Sequence, residues 1–227
     1  MNDNYVLYYT TVKNETAELF IDNFAKIEPS KSIKDPVKQE AYLISKKQNL
    51  IDKASSKAVT GRVSAYALVK VGDPYIKSHT DIDERKLLLR LQGDIASLPR
   101  EVIVFMKGSK NFTAPYLCRR FAANKVHNPF VAGNKNLVNL FDTSILIGTN
   151  SSACQEITSL QDDYWLISQG VLDNFNTESN WTQYVNSPNE DSYHQLTEEC
   201  IYFGKVIAEY VEAFLNPHFE GEVSNEL

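Results

Sequence analysis

Four short runs of apolar, β-branched and aromatic residues constrain this chain most: Tyr5–Thr10, Val63–Val71, Val102–Met106 and Thr143–Ile147. They are more continuous than alternating, which is the pattern of strands covered on both faces. Between them lie segments with apolar residues at helical spacing. Asn14–Ile27 carries Ala17, Phe20, Ile21 and Phe24, and Pro36–Ala54 carries Ala41, Ile44 and Ile51 on one side. Asp81–Leu98 is amphipathic and is interrupted by Gly93, and Pro115–Lys125 and Ser151–Leu160 follow as shorter helices. Strands that alternate with helices predict βαβ units. The expected fold is α/β and three-layer, with a mostly parallel sheet of about four or five strands.

The last third reads differently. Asp162–Phe175 looks helical, 176–189 is polar and turn-rich, and Glu190–Leu215 reads as one long helix. In it Leu196, Cys200, Phe203, Ile207, Tyr210 and Phe214 repeat at alternating steps of four and three, a stripe that packs on the domain or forms a homodimer seam. The expected organisation is an α/β domain over 1–160 with an acidic helical extension over 161–227 packed on it.

Charge follows the same division. Residues 1–149 hold 22 Lys and Arg against 15 Asp and Glu, whereas residues 150–227 hold Lys205 alone against 14 acids. The basic part is expected to meet an anion or the acidic end itself. No run approaches the roughly 18 apolar residues of a membrane span, so no membrane partner is expected. The N-terminus has no basic segment of the signal-peptide kind. Three widely spaced cysteines, Cys118, Cys154 and Cys200, suit a reducing compartment, and the expected location is cytoplasmic. Residues 63–149 are basic with tyrosines available for stacking, but their charges form no stripe and the acidic end repels phosphates, so nucleic acid is not the expected partner.

Ligands of parallel α/β sheets bind beyond the carboxyl ends of the strands, which directs attention to the loops there. After the run ending at Ile147, Gly148-Thr149-Asn150-Ser151-Ser152 leads into a helix. Small residues and hydroxyls at a helix start suit an anion, through Gly148, Thr149, Ser151 and Ser152. Glu156, about one turn on, is the candidate acid, base or nucleophile. Ser152 with Gln155 also forms a capping box, which explains the same residues by helix stability alone. Lys107, beside Gly108, and Arg119 in the next helix are candidate charge partners for a phosphate. Neither a dinucleotide-binding glycine motif nor a Walker lysine is present, so the cofactor stays unknown. His79 with Asp81, Asp83 and Glu84 has metal-ligand residue types, yet matches no metal motif and equally begins a helix; no metal is expected.

Two short stretches resemble known families locally. Val102–Gly108 resembles the strand and glutathione-contacting lysine of monothiol glutaredoxins, but the Cys-Gly-Phe-Ser tetrad is absent, and no redox function is implied. Leu7–Thr16 resembles a flavodoxin phosphate loop, with Val12 and Lys13 in place of Thr-Gly. This implies an anion contact at Thr10 but no flavin. The leading expectation is an enzyme, hydrolase or transferase, that binds a nucleotide or phosphorylated small molecule at strand-to-helix loops. The alternative is a non-catalytic inhibitor or effector whose acidic C-terminal third binds a basic protein partner.

Overall fold

The computed structural model describes residues 4–99, 102–106, 114–130, 139–142 and 190–215. Within them, β1 (Asn4–Lys13), α1 (Ala17–Phe24), α2 (Pro36–Asp52), β2 (Gly61–Lys70) and β3 (Ile76–Thr80) come first. Then follow α3 (Glu84–Ala96), β4 (Ile103–Met106), α4 (Ala114–Ala123), β5 (Asn139–Asp142) and α5 (Glu190–Leu215). The five strands form one sheet in the order β3-β2-β1-β4-β5.

The class is α/β, but the sheet is mixed rather than mostly parallel. β2 runs antiparallel to both β1 and β3, whereas β1, β4 and β5 are mutually parallel. Both connections that flank β2 return at the edge they leave: 14–60 joins the end of β1 to the start of β2, and 71–75, where a strand-to-helix loop is expected, is a hairpin turn. Gly72 adopts a positive φ of 71°, a conformation that glycine reaches without a Cβ penalty. Asp73 accepts the Tyr75 N–H at 2.9 Å, and the Lys70 N–H reaches the Tyr75 carbonyl. The sequence Ile76-Lys-Ser-His-Thr then forms an edge strand whose side chains are all half-buried. It was missed because a short polar edge strand carries little apolar periodicity. The expected strand Thr143–Ile147 and the helices Ser151–Leu160 and Asp162–Phe175 lie outside the described residues.

Helices cover both faces. On one, Leu87, Leu88, Leu91 and Ile95 of α3 and Leu117 and Phe121 of α4 pack on Leu7, Tyr66, Leu68, Val104 and Met106. On the other, Leu196, Cys200, Ala208 and Val211 of α5 pack on Val6, Ala65, Ala67, Val69 and Phe105. The face under α5 is lined with small residues, so this helix comes close. A Cβ on Gly204 would stand 2.8 Å from Val69 Cγ2. Part of the stripe that suggested a dimer seam, Leu196 and Cys200, is buried here against the sheet. The helix α3 passes through Gly93 without a break and starts on Asp83, whose carboxylate accepts the N–H groups of Arg85 and Lys86.

The region between β1 and β2 is an exception to this packing. Among its helices, α2 has no buried side chain, and Ile44, expected on its packed side, is 64% exposed. The Asp35 cap and Pro36 in the first turn set where it begins.

Gly204→Leu is expected to lower stability by about 1–3 kcal/mol through overpacking against Val69. A drop of several degrees in Tm with unchanged helix content checks it; an unchanged Tm would show that α5 does not pack this closely.

Candidate functional site

The carboxyl ends of β1, β3, β4 and β5 lie at one edge of the sheet, together with the beginning of β2. From this edge the chain leaves β1 toward β2 on one side and β4 toward β5 on the other. In open α/β sheets such a divergence between adjacent parallel strands is where ligands bind. The β1–β4 register ends with Val6 opposite Phe105, so β1 continues beyond Met106 from Tyr8 to Lys13, a rise of roughly 20 Å.

A β-bulge shapes this overhang. Thr10 pairs with Ala65 and Thr11 with Val63, which leaves Ser64 as an extra residue in β2. A bulge re-aims the side chains that follow it. Here the Ser64 hydroxyl lies 3.1 Å from Thr10 Oγ1, and the Ser64 carbonyl accepts from Thr80 Oγ1 at 2.8 Å. Val63 joins the core under α3, while Arg62 faces the first turns of α5.

Two buried arginines occupy this edge, and their surroundings differ. Arg120 of α4 forms a two-pronged ion pair with Glu84 of α3 through Nε and Nη2. Its Nη1 donates to the Ala58 carbonyl at 2.7 Å. Glu84 also accepts the Val63 N–H at 2.7 Å and the Asn124 amide at 2.8 Å. Every acceptor position on that carboxylate is taken, so it holds α3, α4 and β2 together and is not free for proton transfer.

Arg62 has no such partner. Its Nη1 donates to the Ile82 carbonyl and its Nη2 to the Tyr193 hydroxyl, both neutral acceptors. The guanidinium sits 5.8 Å from the centre of the Tyr193 ring. Its Nε is buried with no hydrogen-bond partner, and the residue is only 7% exposed. Among the described residues no carboxylate lies within ion-pair distance of it. A buried charge without a counter-charge costs several kcal/mol.

Two further titratable groups near this edge, Cys200 and Glu199, are shifted by burial. The Cys200 thiol lies 3.6 Å from Thr10 Oγ1, and burial drives its pKa far up, so it stays a thiol and a poor nucleophile. Burial also lifts the Glu199 carboxyl to about 8. Among the described residues no group of three His, Cys, Asp or Glu side chains converges as metal ligands. His79, Asp81, Asp83 and Glu84 diverge instead. His79 lies 3.4 Å from Asp94, Asp81 faces Arg90 at 3.8 Å, and Asp83 caps α3. Asp94 also binds the Tyr66 hydroxyl at 2.7 Å and Lys77 Nζ at 2.9 Å, a cluster that fastens β2 and β3 to α3.

Of the residues singled out from sequence, Thr10 lies at the overhang, 3% exposed, with its hydroxyl engaged by Ser64 and Cys200. Arg119 is exposed on α4, beside the buried Arg120. Lys107, Gly148, Thr149, Ser151, Ser152 and Glu156 lie outside the described residues. Arg62 was missed. In sequence it is one charge at the start of an apolar run, and only the bulge and α5 reveal its surroundings. Comparison with protein-family models, curated proteins and solved structures returns no match to this chain.

Two outcomes follow. Arg120→Met should cost about 3–5 kcal/mol, because it strands Glu84 as a buried unpaired charge; a urea midpoint close to wild type would refute this. Glu199 has its folded pKa raised above its ordinary value of 4.5, so ionisation opposes folding and stability falls as pH rises from about 4.5 toward 8. Glu199→Gln should flatten that fall and raise Tm at pH 9, as measured by thermal melts across the range.

Proposed function

We propose that this protein binds a nucleotide or another phosphorylated small molecule at the carboxyl edge of its sheet, and acts on it as a hydrolase or transferase. The observation that carries the reading is Arg62, a buried guanidinium with an unpartnered Nε and no carboxylate among the described residues within ion-pair distance. Arginine matches phosphate geometry through its planar fork. Thr10 and the diverging ends of β1 and β4 lie on the same edge. The acid–base group is assigned to Glu156, with Lys107, Arg119 and the Gly148–Ser152 segment adding donors around the phosphate.

A thermal-shift panel of nucleotides and sugar phosphates tests this. A ligand at about 100 times its Kd adds about 2.7 kcal/mol, roughly 5–10 °C for a chain of this size. Arg62→Met should abolish the shift and leave the unliganded protein as stable as wild type or more so, since it removes an uncompensated buried charge. Loss of about 3–5 kcal/mol in unliganded Arg62→Met would instead identify an internal counter-ion and defeat the reading.

A second reading, a non-catalytic protein that binds a basic partner, is supported by Glu198 and Glu209, which stand exposed on α5. Charge reversal at both would then weaken binding and its salt dependence.

A further inference from the structure

At the opposite end of the sheet, roughly 25 Å along β2 from Arg62, lies a cleft of about 290 Å³. The β2–β3 turn forms one wall and the second half of α5 the other. Its floor is apolar, built from Val69, Pro74, Ile76 and Ala208. Five charged side chains stand around this floor: Lys70, Asp73, Lys205, Glu209 and Glu212.

Two of these five belong to the turn. Asp73 accepts the Tyr75 N–H and lies 3.4 Å from Lys70 Nζ. The other three project from α5, and among the described residues none is in an ion pair. Glu209 and Glu212 are one turn apart, so they repel. Glu212 lies in the last turn of α5, where the helix dipole is negative and no basic residue is present. Gly72 keeps the wall open at this point. A Cβ there would come within 3.1 Å of Glu212 Oε1, so the bare backbone lets the carboxylate lie against the turn.

From this arrangement we infer that the cleft is a binding site for a small zwitterion of the α-amino-acid type with an apolar side chain. The ligand ammonium sits between Glu209 and Glu212 and relieves their repulsion. Its carboxylate meets Lys205, and its side chain covers the floor. Lys205 stands one turn before Glu209, so a ligand cation alone would compete with it for that carboxylate, and an anion alone would add to the repulsion.

Calorimetric titration with leucine, N-acetyl-leucine, leucinamide and 1,4-diaminobutane tests the inference. Leucine should bind, and removing either ligand charge should weaken binding about tenfold or more, the usual loss of a charge-assisted contact. Glu212→Gln and Lys205→Met, both at solvent-accessible positions, should weaken leucine comparably. Lys205→Met should leave leucinamide binding unchanged, because that ligand has no carboxylate to lose. Arg62→Met should leave leucine binding intact, which separates this cleft from the anion site. Tighter binding of the diamine than of leucine, or no leucine binding at millimolar concentration, would overturn the proposal.

Discussion

The antiparallel pairing of β1 with β2, and the single bulge within it, is the constraint on which the rest of this structure depends. Before the bulge, Ala65, Ala67 and Val69 face α5 while Tyr66 and Leu68 face α3 and α4. After it the phase shifts by one residue, so that Val63 enters the α3 side and Arg62 meets α5. Strand side chains alternate with a strict period of two, so one inserted residue exchanges the faces of everything beyond it. Without Ser64 as the extra residue, the guanidinium would point toward the face where Arg120 and Glu84 already form their pair.

This end of the sheet therefore contains two solutions to the burial of arginine. Arg120 is neutralised by a carboxylate that also caps the backbone of β2 and holds an asparagine. Such a network specifies one packing of α3, α4 and β2 because breaking any member strands the others. Among the described residues Arg62 is held by neutral oxygens. The first arrangement is closed and serves the fold, while the second has no counter-charge among the described residues. The difference between them comes from their partners, since the two side chains are chemically identical and nearly equally buried.

Much of the fold was legible along the chain. The long apolar runs of β1, β2 and β4 and the helical spacing of α3 and α5 are strong local signals, and they survive because burial demands them. The weak signals failed for physical reasons. An edge strand such as β3 buries no complete face, so Ile76-Lys-Ser-His-Thr need not alternate sharply. In α2 the residues Ala41 and Ile44 have the spacing of a packed face, yet that spacing has no packed surface opposite it. Of the candidate site, Thr10 and Arg119 were in view, but the buried arginine is its neighbour Arg120. Positions 119 and 120 differ by 100° around a helix, and only the location of the sheet decides which of them faces inward.

Sequence alone determined the α/β class, the long C-terminal helix and the separation of basic from acidic residues, because composition and periodicity are properties of neighbours along the chain. Tertiary structure decided the direction of β2, the pairing of Arg120 with Glu84, the isolation of Arg62 and the cleft beside Gly72. Each of these depends on groups far apart in sequence, 36 residues for the ion pair and 131 for Arg62 and Tyr193. Local pattern holds no record of such contacts, because their energy arises only when packing excludes water and brings the partners within reach.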